Sequence, residues 1–317
     1  MSINERVPIA SLDHFVRNEV EPGTLEQRVL TQRLLAAGSV EFNVSGDNYT
    51  WTVRFKRVGN FREHDVFQEV VVAPEKTEVQ ATQAFGRYIQ TEFIDEEEEL
   101  INKAPDAIYD MSVEKTEAMA VDAKDEFHLE THNGTGTGRR IIGINTLLPT
   151  ALATVHGIVQ TGNVWWQGVI LDATLGPNTN ADTDLLERIR TGLTTADRGD
   201  GAGRPNFGIT DLTIYGKLVD AHQAQERYTA DGLSISGELG FINVHNTPMY
   251  YDKQAQVNSL RLINARKLKM LFRTPGMFKM GTKDPSNRTG VLLLLQIFPS
   301  IVNLNPRYHT TIHNYGF

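Results

Sequence analysis

Phe207-Gly208-Ile209-Thr210-Asp211-Leu212-Thr213-Ile214-Tyr215-Gly216-Lys217-Leu218 begins in the manner of a strand and continues in that of a helix. Phe207 to Ile214 carries the β-branched and aromatic residues of a strand, and Tyr215 to Arg227 reads as a helix. No second unit of the same kind follows, so the pattern is α+β rather than a regular βαβ series. Just upstream, Asp184 and Glu187 have capping-box spacing, and Leu185, Leu186, Ile189 and Leu193 share one helix face. That helix should end in the loop Arg198-Gly199-Asp200-Gly201-Ala202-Gly203. Downstream, Val291-Leu292-Leu293-Leu294-Leu295-Gln296-Ile297-Phe298, bounded by Gly290 and Pro299, predicts a strand buried on both faces.

The first half has a different texture. Residues 1–38 mix charged and apolar side chains around Glu21-Pro22-Gly23, which predicts an extended arm with a short helix over Leu25 to Ala36, stopped by Gly38. Trp51, Val53 and Phe55 alternate with Thr52, Arg54 and Lys56, a strand with one polar face, and Ser45-Gly46-Asp47-Asn48 before it reads as a hairpin turn. Val66 to Ala73, ended by Pro74, reads as a further strand. Residues 39–90 thus form a strand-rich excursion with too few large apolar residues to stand alone. From Ala107 to Thr131, Ile108, Met111, Ala118, Val121 and Leu129 approximate a helical stripe on a charged background, predicting a long, solvent-rimmed helix. Asn133-Gly134-Thr135-Gly136-Thr137-Gly138 then reads as a flexible linker at a subdomain boundary, and Arg139 to Leu148 as strand-like.

Composition removes several classes of function. The 317 residues are 40% hydrophobic, enough for a sizeable core, and contain no cysteine, so disulfide frameworks, thiolate metal centres and Cys nucleophiles are excluded. The N-terminus has no signal-peptide apolar core, and the strongest apolar run is far below the ~20 residues of a membrane helix, so a soluble, unprocessed protein is expected and a reducing compartment fits. With a net charge of -8, nothing suggests affinity for nucleic acid through phosphate neutralisation. The charge is uneven. Glu92 to Glu130 holds 14 acidic and 3 basic residues, net -11, whereas Lys253 to Arg288 holds 9 basic and 1 acidic, net +8. No internal repeat or low-complexity tract is visible.

Chemical motifs are sparse. Gly134, Gly136 and Gly138 lack the third glycine and preceding strand of a dinucleotide loop, and Gly216-Lys217 lacks the flanking residues of a phosphate loop. His128 and His132 have the i, i+4 spacing of metal ligands, but Leu129-Glu130-Thr131 between them does not give the zincin pattern. His309 and His313 lie in a strand-like segment, about 13 Å apart by strand rise, too far to share one ion. Asp95-Glu96-Glu97-Glu98-Glu99 lacks calcium-loop alternation and its central glycine. No Gly-x-Ser-x-Gly elbow occurs. No catalytic, cofactor-binding or metal residue is therefore assigned.

Several segments, in order, resemble major capsid proteins of tailed bacteriophages with the Hong Kong 97 (HK97-like) fold. Gly157-Ile158-Val159-Gln160-Thr161-Gly162-Asn163-Val164-Trp165-Trp166-Gln167 is similar to the family's Gly-Ile-Asp-Arg-Ser-Thr and Trp-Trp stretch, with Val159 and Gln160 in place of Asp-Arg. Phe207 to Leu218 resembles a core strand running into a helix, and Phe241 to Asp252 resembles the segment leading to a small residue followed by Pro-Val. Leu304 to Ile312 is similar to the closing Arg-Pro-x-Ala strand.

The resemblance implies an α+β fold with an N-arm at 1–38, an E-loop hairpin at 39–90, an acidic segment with the spine helix of the P domain at 91–138, and an A domain with return strands to the P domain at 139–317. It implies self-assembly into pentamers and hexamers of an icosahedral shell enclosing double-stranded DNA without specific binding, in a virion capsid built in the host cytoplasm. No cofactor, enzyme site or membrane is implied. Portal and scaffolding proteins are the expected partners, with room for a decoration protein; the short arm implies a separate scaffold or none. Trp51, Val53, Phe55, Trp165 and Trp166 are the candidate assembly contacts, the first three because their strand face lacks a local partner. Thr229 to Ser236 is the loop expected near the capsomer axis, with Gly199 to Gly203 as the substitute. Two rivals stay open: an encapsulin-type nanocompartment shell, and a metal-dependent enzyme using His128 and His132.

Overall fold

The computed structural model describes residues 28–56, 76–95, 97, 105–172, 181–197, 199, 203–226, 241–283 and 290–314. In chain order its longer elements are α1 (Val29–Ala36), β1 (Val40–Glu41), β2 (Asn48–Arg54), β3 (Glu78–Ala84), β4 (Tyr88–Asp95), α2 (Pro105–Asn133) and α3 (Ile144–Leu147). There follow β5 (Thr154–Val155), β6 (Ile158–Val159), β7 (Val169–Asp172), α4 (Ala181–Ala196), β8 (Phe207–Thr210), α5 (Leu212–Glu226), β9 (Phe241–Val244) and β10 (Thr247–Tyr251). The chain then runs through β11 (Ser259–Ile263), β12 (Leu268–Phe272), β13 (Phe278–Lys283), β14 (Gly290–Ile297), β15 (Pro299–Asn303) and β16 (Thr310–His313).

Two sheets carry most of the molecule. A mixed six-stranded sheet has the order β7-β16-β11-β8-β10-β9. Leu185, Ile189 and Leu193 of α4 and Ile214 and Leu218 of α5 close over its Leu260, Leu262, Met249 and Ile312. The strand-to-helix passage is sharper than the sequence suggests. β8 stops at Thr210, and the helix begins at Leu212 because Asp211 caps it: its Oδ2 accepts the Thr213 N–H at 3.3 Å and its carbonyl the Tyr215 N–H at 3.0 Å. Ile214 therefore belongs to the helix and not, as expected, to the strand.

The second sheet, β13-β14-β4, lies beneath the long helix α2. β14 pairs along its whole length with β4, from Gly290 opposite Asp95 to Ile297 opposite Tyr88. Val291, Leu293, Leu295 and Ile297 enter the main core with Met119, Phe127, Leu30 and Leu34, while Leu292, Leu294 and Gln296 on the other face are only half-buried. The strand is thus buried on one face and not on two. A small sheet, β1-β12-β15, ties residues 40–41 to the C-terminal third.

α2 is longer than expected and turned differently. Val121 is 57% exposed, and the buried stripe is carried by Ser112, Thr116, Met119, Ala120, Phe127 and Thr131. Small hydroxyl residues can line a buried helix face because they satisfy themselves locally: Thr116 Oγ1 donates to the Ser112 carbonyl and Thr131 Oγ1 to that of His128, both at 2.7 Å. The glycine run after α2 is a tight turn and not a flexible linker. Gly143 N donates to the Gly134 carbonyl at 2.8 Å, Thr135 bridges Ile142, and α3 follows where a strand was expected.

Other local expectations fare variously. α1 ends at Gly38 as expected, with φ +66° and the Ser39 N–H returning to the Leu34 carbonyl. Leu30 and Leu34 are fully buried, so this part of the arm belongs to the core. Ser45 to Asn48 joins no hairpin: β2 pairs with β3, whereas β1 pairs in parallel with β12. α4 begins at Ala181, before Asp184, so Asp184 is not its cap. The strand expected over Val66 to Ala73 lies outside the described residues.

A Cβ built on Gly134 would sit 2.4 Å from the Ile141 carbonyl oxygen and 2.7 Å from that of Glu130. Both obstacles are backbone and cannot rotate away. Gly134→Ala should therefore destabilise the fold by about 1–3 kcal/mol, read as a lowered denaturation midpoint; an unchanged midpoint would contradict the packing described.

Candidate functional site

The five expected assembly residues do meet, but within one chain. Val53 and Trp166 are buried with Ala81 and Ile158, and Trp51, Val79 and Trp165 pack against them. The rings of Phe55 and Trp165 lie 5.2 Å apart and those of Trp165 and Trp166 5.9 Å. Trp166 Nε1 donates to the Val155 carbonyl at 3.1 Å, which fixes the fully buried indole against β5. The expectation that the Trp51, Val53 and Phe55 face lacks a local partner is corrected: the β5–β6 hairpin and the turn at Val164–Trp166 cover it. That partner escaped the sequence reading because the two segments are distant in the chain and the strands β5 and β6 are only two residues each.

His156 completes this cluster. Its ring sits edge-on to Trp51 at 4.8 Å, its Nδ1 is 2.9 Å from Gln83 Oε1, and its Nε2 accepts the Asn303 N–H at 2.9 Å. An imidazole that accepts a backbone N–H must be neutral, and burial holds its pKa down at about 3. His309 is equally constrained, its Nδ1 accepting the Asn264 N–H at 3.1 Å, and burial holds it at about 3 as well. The surface around the cluster is apolar at residues the sequence reading did not single out as contacts: Val159 is 49% exposed and Val164 70%, joined through Asn163, whose amide donates to the Val159 carbonyl.

A second constellation lies where α2 meets the end of β10. His128 Nε2 is 3.0 Å from Asp252 Oδ1, and His132 Nε2 is 3.3 Å from Oδ2. Gln254 N also donates to Oδ1, at 2.9 Å. Burial alone would raise the Asp252 carboxyl, but hydrogen bonding and charge from the two histidines outweigh it and hold the group well below the usual carboxylate range. Burial lowers the pKa of His132 despite that carboxylate. Sequence spacing flagged both histidines; Asp252 comes from far along the chain and carried no signal.

Between the two histidines in sequence, Glu130 receives Tyr88 Oη at 2.8 Å and the Arg140 guanidinium, and Tyr88 Oη accepts the Ile141 N–H at 2.9 Å. Hydrogen bonding from Arg140 depresses the Glu130 pKa against the opposing effect of burial. Elsewhere in the acidic block Asp125 pairs with Arg28, and in the basic block Lys269 pairs with Glu41 and Arg273 with Asp47. Each of these pairs reaches outside the opposite block. Thr229 to Ser236 lies outside the described residues, as does most of the Arg198 to Gly203 loop.

No family model and no curated protein matches the sequence. Solved structures do match the fold. The capsid of a native GTA particle aligns with TM-score 0.59 at 11% identity over 89% of this chain and 90% of its own. The capsid asymmetric unit of cyanophage A-1(L) aligns with 0.57 at 13% over 86% and 90%, and the SrpI encapsulin of Synechococcus elongatus with 0.54 at 11% over 90% and 89%. The chain therefore has the HK97-like capsid fold, an α+β architecture. Its neighbours are shell-forming structural proteins, and among the described residues no helix is long and apolar enough to cross a membrane.

The buried histidines make stability pH-dependent in a definite direction. Unfolded, His156 and His309 titrate near 6.5; folded, they stay neutral down to about 3. The unfolded state thus binds more protons between these values, and stability falls as pH drops through that window. At pH 5 the two together should cost about 4 kcal/mol relative to pH 8. Denaturation midpoints measured from pH 8 to pH 4 should show this loss, and His156→Gln should reduce its slope; a flat profile would contradict the neutral assignment.

Proposed function

We propose that this chain is the major capsid protein of a tailed phage, assembling through pentamers and hexamers into an icosahedral shell around packaged double-stranded DNA. The observation that carries the reading is the match of nearly the whole chain to phage and GTA capsid subunits over nearly the whole of theirs. In this reading residues 1–38 act as the N-arm, 39–90 as the E-loop, 91–138 as the spine-helix segment and 139–317 mainly as the A domain with return strands. The subunit's work is geometric and involves no catalytic step. Portal and scaffolding proteins would be its partners, with a decoration protein admissible on the outer surface, and assembly would take place in the host cytoplasm. The encapsulin reading stands second because an encapsulin shares the fold at a similar score.

Expression of the full chain followed by electron microscopy tests the proposal. Closed particles or capsomers are expected, with DNA as the native content; protein cargo in place of DNA would favour the encapsulin reading, and subunits that remain monomeric under all conditions would overturn both.

Within a shell, the half-buried edges of Phe55 and Trp165 together with Val159 and Val164 form the contact region. Exposed valines contribute little to the subunit's own stability, so Val159→Glu with Val164→Glu should shift subunit stability by no more than about 0.5 kcal/mol per site. Shell yield should fall sharply, because each carboxylate would have to be desolvated at an apolar contact. Normal shells from this variant would remove these residues from the interface.

The opposite charge blocks add a salt prediction. Exposed charges interact only within a Debye length of ~8 Å at physiological ionic strength, so the blocks attract effectively only when subunits bring them close. If they meet across a contact, raising salt should depress assembly yield more than it depresses subunit stability. A salt-insensitive yield would leave the other arrangement, in which the acidic helix faces the lumen and repels DNA during packaging.

A further inference from the structure

His128 and His132 lie one turn apart on α2, and Asp252 stands at the end of β10. The exposures of these residues are 5%, 1% and 6%, and their ligand atoms all lie within 4.8 Å of one another. The spacing suits a metal ion. Zinc bound at about 2.0–2.2 Å by imidazole and carboxylate in a tetrahedral arrangement separates adjacent donors by about 3.3 Å; here His128 Nε2 lies 3.0 Å from Asp252 Oδ1 and His132 Nε2 3.3 Å from Oδ2, within a set spanning no more than 4.8 Å. The chemistry of His132 is more telling. Its Nε2 is buried 3.3 Å from Asp252 Oδ2, a contact too poorly aligned to make a good hydrogen bond. A buried nitrogen held only by a poorly aligned contact is under-satisfied, and a lone pair directed at a cation removes that deficit.

We infer that His128, His132 and Asp252 form a binding site for one divalent transition-metal ion of the zinc class, held through the two Nε2 atoms and the carboxylate. Two imidazoles favour such an ion over magnesium or calcium, which take oxygen ligands. Burial of all three ligands favours a structural role, although the described residues leave the fourth coordination position unfilled. The ion would staple the C-terminal half of α2 to the end of β10, fixing the long helix against the six-stranded sheet. Arg261, also buried and electrostatically coupled to His132, is bound to neutral oxygens: the Leu148 carbonyl at 3.3 Å, Ser259 Oγ at 2.8 Å and Gln256 Oε1 at 2.5 Å. Its positive charge beside a ligand set with a single carboxylate leaves the ion incompletely neutralised, so the metal should be exchangeable and removable by a chelator.

The test uses the full chain, equilibrated with zinc, desalted and analysed for metal content. About one zinc per chain is expected, with thermal unfolding lowered by EDTA and restored by zinc but not by calcium. The double variant His128→Gln, His132→Gln should retain no zinc and lose the EDTA response. Wild-type protein that retains no zinc and melts identically with zinc and EDTA would overturn the site, as would a double variant retaining the wild-type content. Should the variant fail to fold, cobalt(II) bound to the wild-type chain decides: visible bands of a four-coordinate imidazole and carboxylate site support the assignment, and their absence overturns it. The measurement is made on subunits, so it stands or falls separately from shell formation.

Discussion

The pairing of Tyr88–Asp95 with Gly290–Ile297 is the constraint on which the rest of the subunit depends. It joins a segment from the first third of the chain to one from the last, and Val291, Leu293, Leu295 and Ile297 of β14 present an apolar face on which α2 rests. The helix itself is a poor candidate for independent stability: its surroundings in sequence are densely acidic, and its buried face is built from serine, threonine and alanine as much as from large apolar residues. Most helical stability in such a case comes from tertiary burial rather than from propensity. The sheet therefore precedes the helix in the energetic order, whatever the order along the chain.

The C-terminal half of α2 shows how that dependence is secured. Its last turns carry three buried polar groups, His128, Glu130 and His132, each answered by a residue from elsewhere: Asp252, then Tyr88 with Arg140, then Asp252 again. Burying ionisable groups contributes little net stability, but an unpaired one is heavily penalised. Such groups therefore act as registration marks. Slippage of the helix along the sheet would strand a carboxylate or an imidazole without its partner, whereas slippage of a purely apolar face would be penalised far less. The tight turn at Gly134 and Gly143 fixes the same end sterically, through backbone in contact with backbone.

What could be read from the sequence follows from this division. Local features were legible: the helix stop at Gly38, the Trp51 strand, the apolar helix face at Leu185, Ile189 and Leu193, and the existence of a long helix. The α+β class was legible too, from one strand–helix unit without repetition. Errors arose where tertiary context decides. The stripe of α2 was assigned to Ile108, Met111, Ala118, Val121 and Leu129, whereas the buried face mixes Met119 and Phe127 with serine, threonine and alanine. The run Val291 to Phe298 looked buried on both sides because leucine alone does not reveal that one face of β14 is only half covered. The glycine run looked like a linker because glycine serves both flexible chain and the closest backbone packing, and sequence cannot separate those uses. The aromatic cluster was recognised as a set, but its partner hairpin β5–β6 is too short to carry a period, so an intrachain core was taken for an unpartnered face.

The same considerations explain how a fold can match at TM-scores of 0.57 and 0.59 with only 13% and 11% of residues in common. Its requirements are a set of backbone pairings, an alternation of burial along strands, and a long helix with one narrow face, and hydrophobic cores tolerate wide substitution when volume and patterning are kept. Backbone hydrogen bonds in the sheets make no demand on side-chain identity. Side chains that do carry specific demands here, such as Asp252 between two histidines or Glu130 between Tyr88 and Arg140, are few and act by fixing register. Different polar sets could perform that task in relatives without disturbing the pairings. Sequence motifs spread along such a chain are individually weak for this reason, and their order carries more information than their content: order reflects the path of the backbone, which is what the fold constrains.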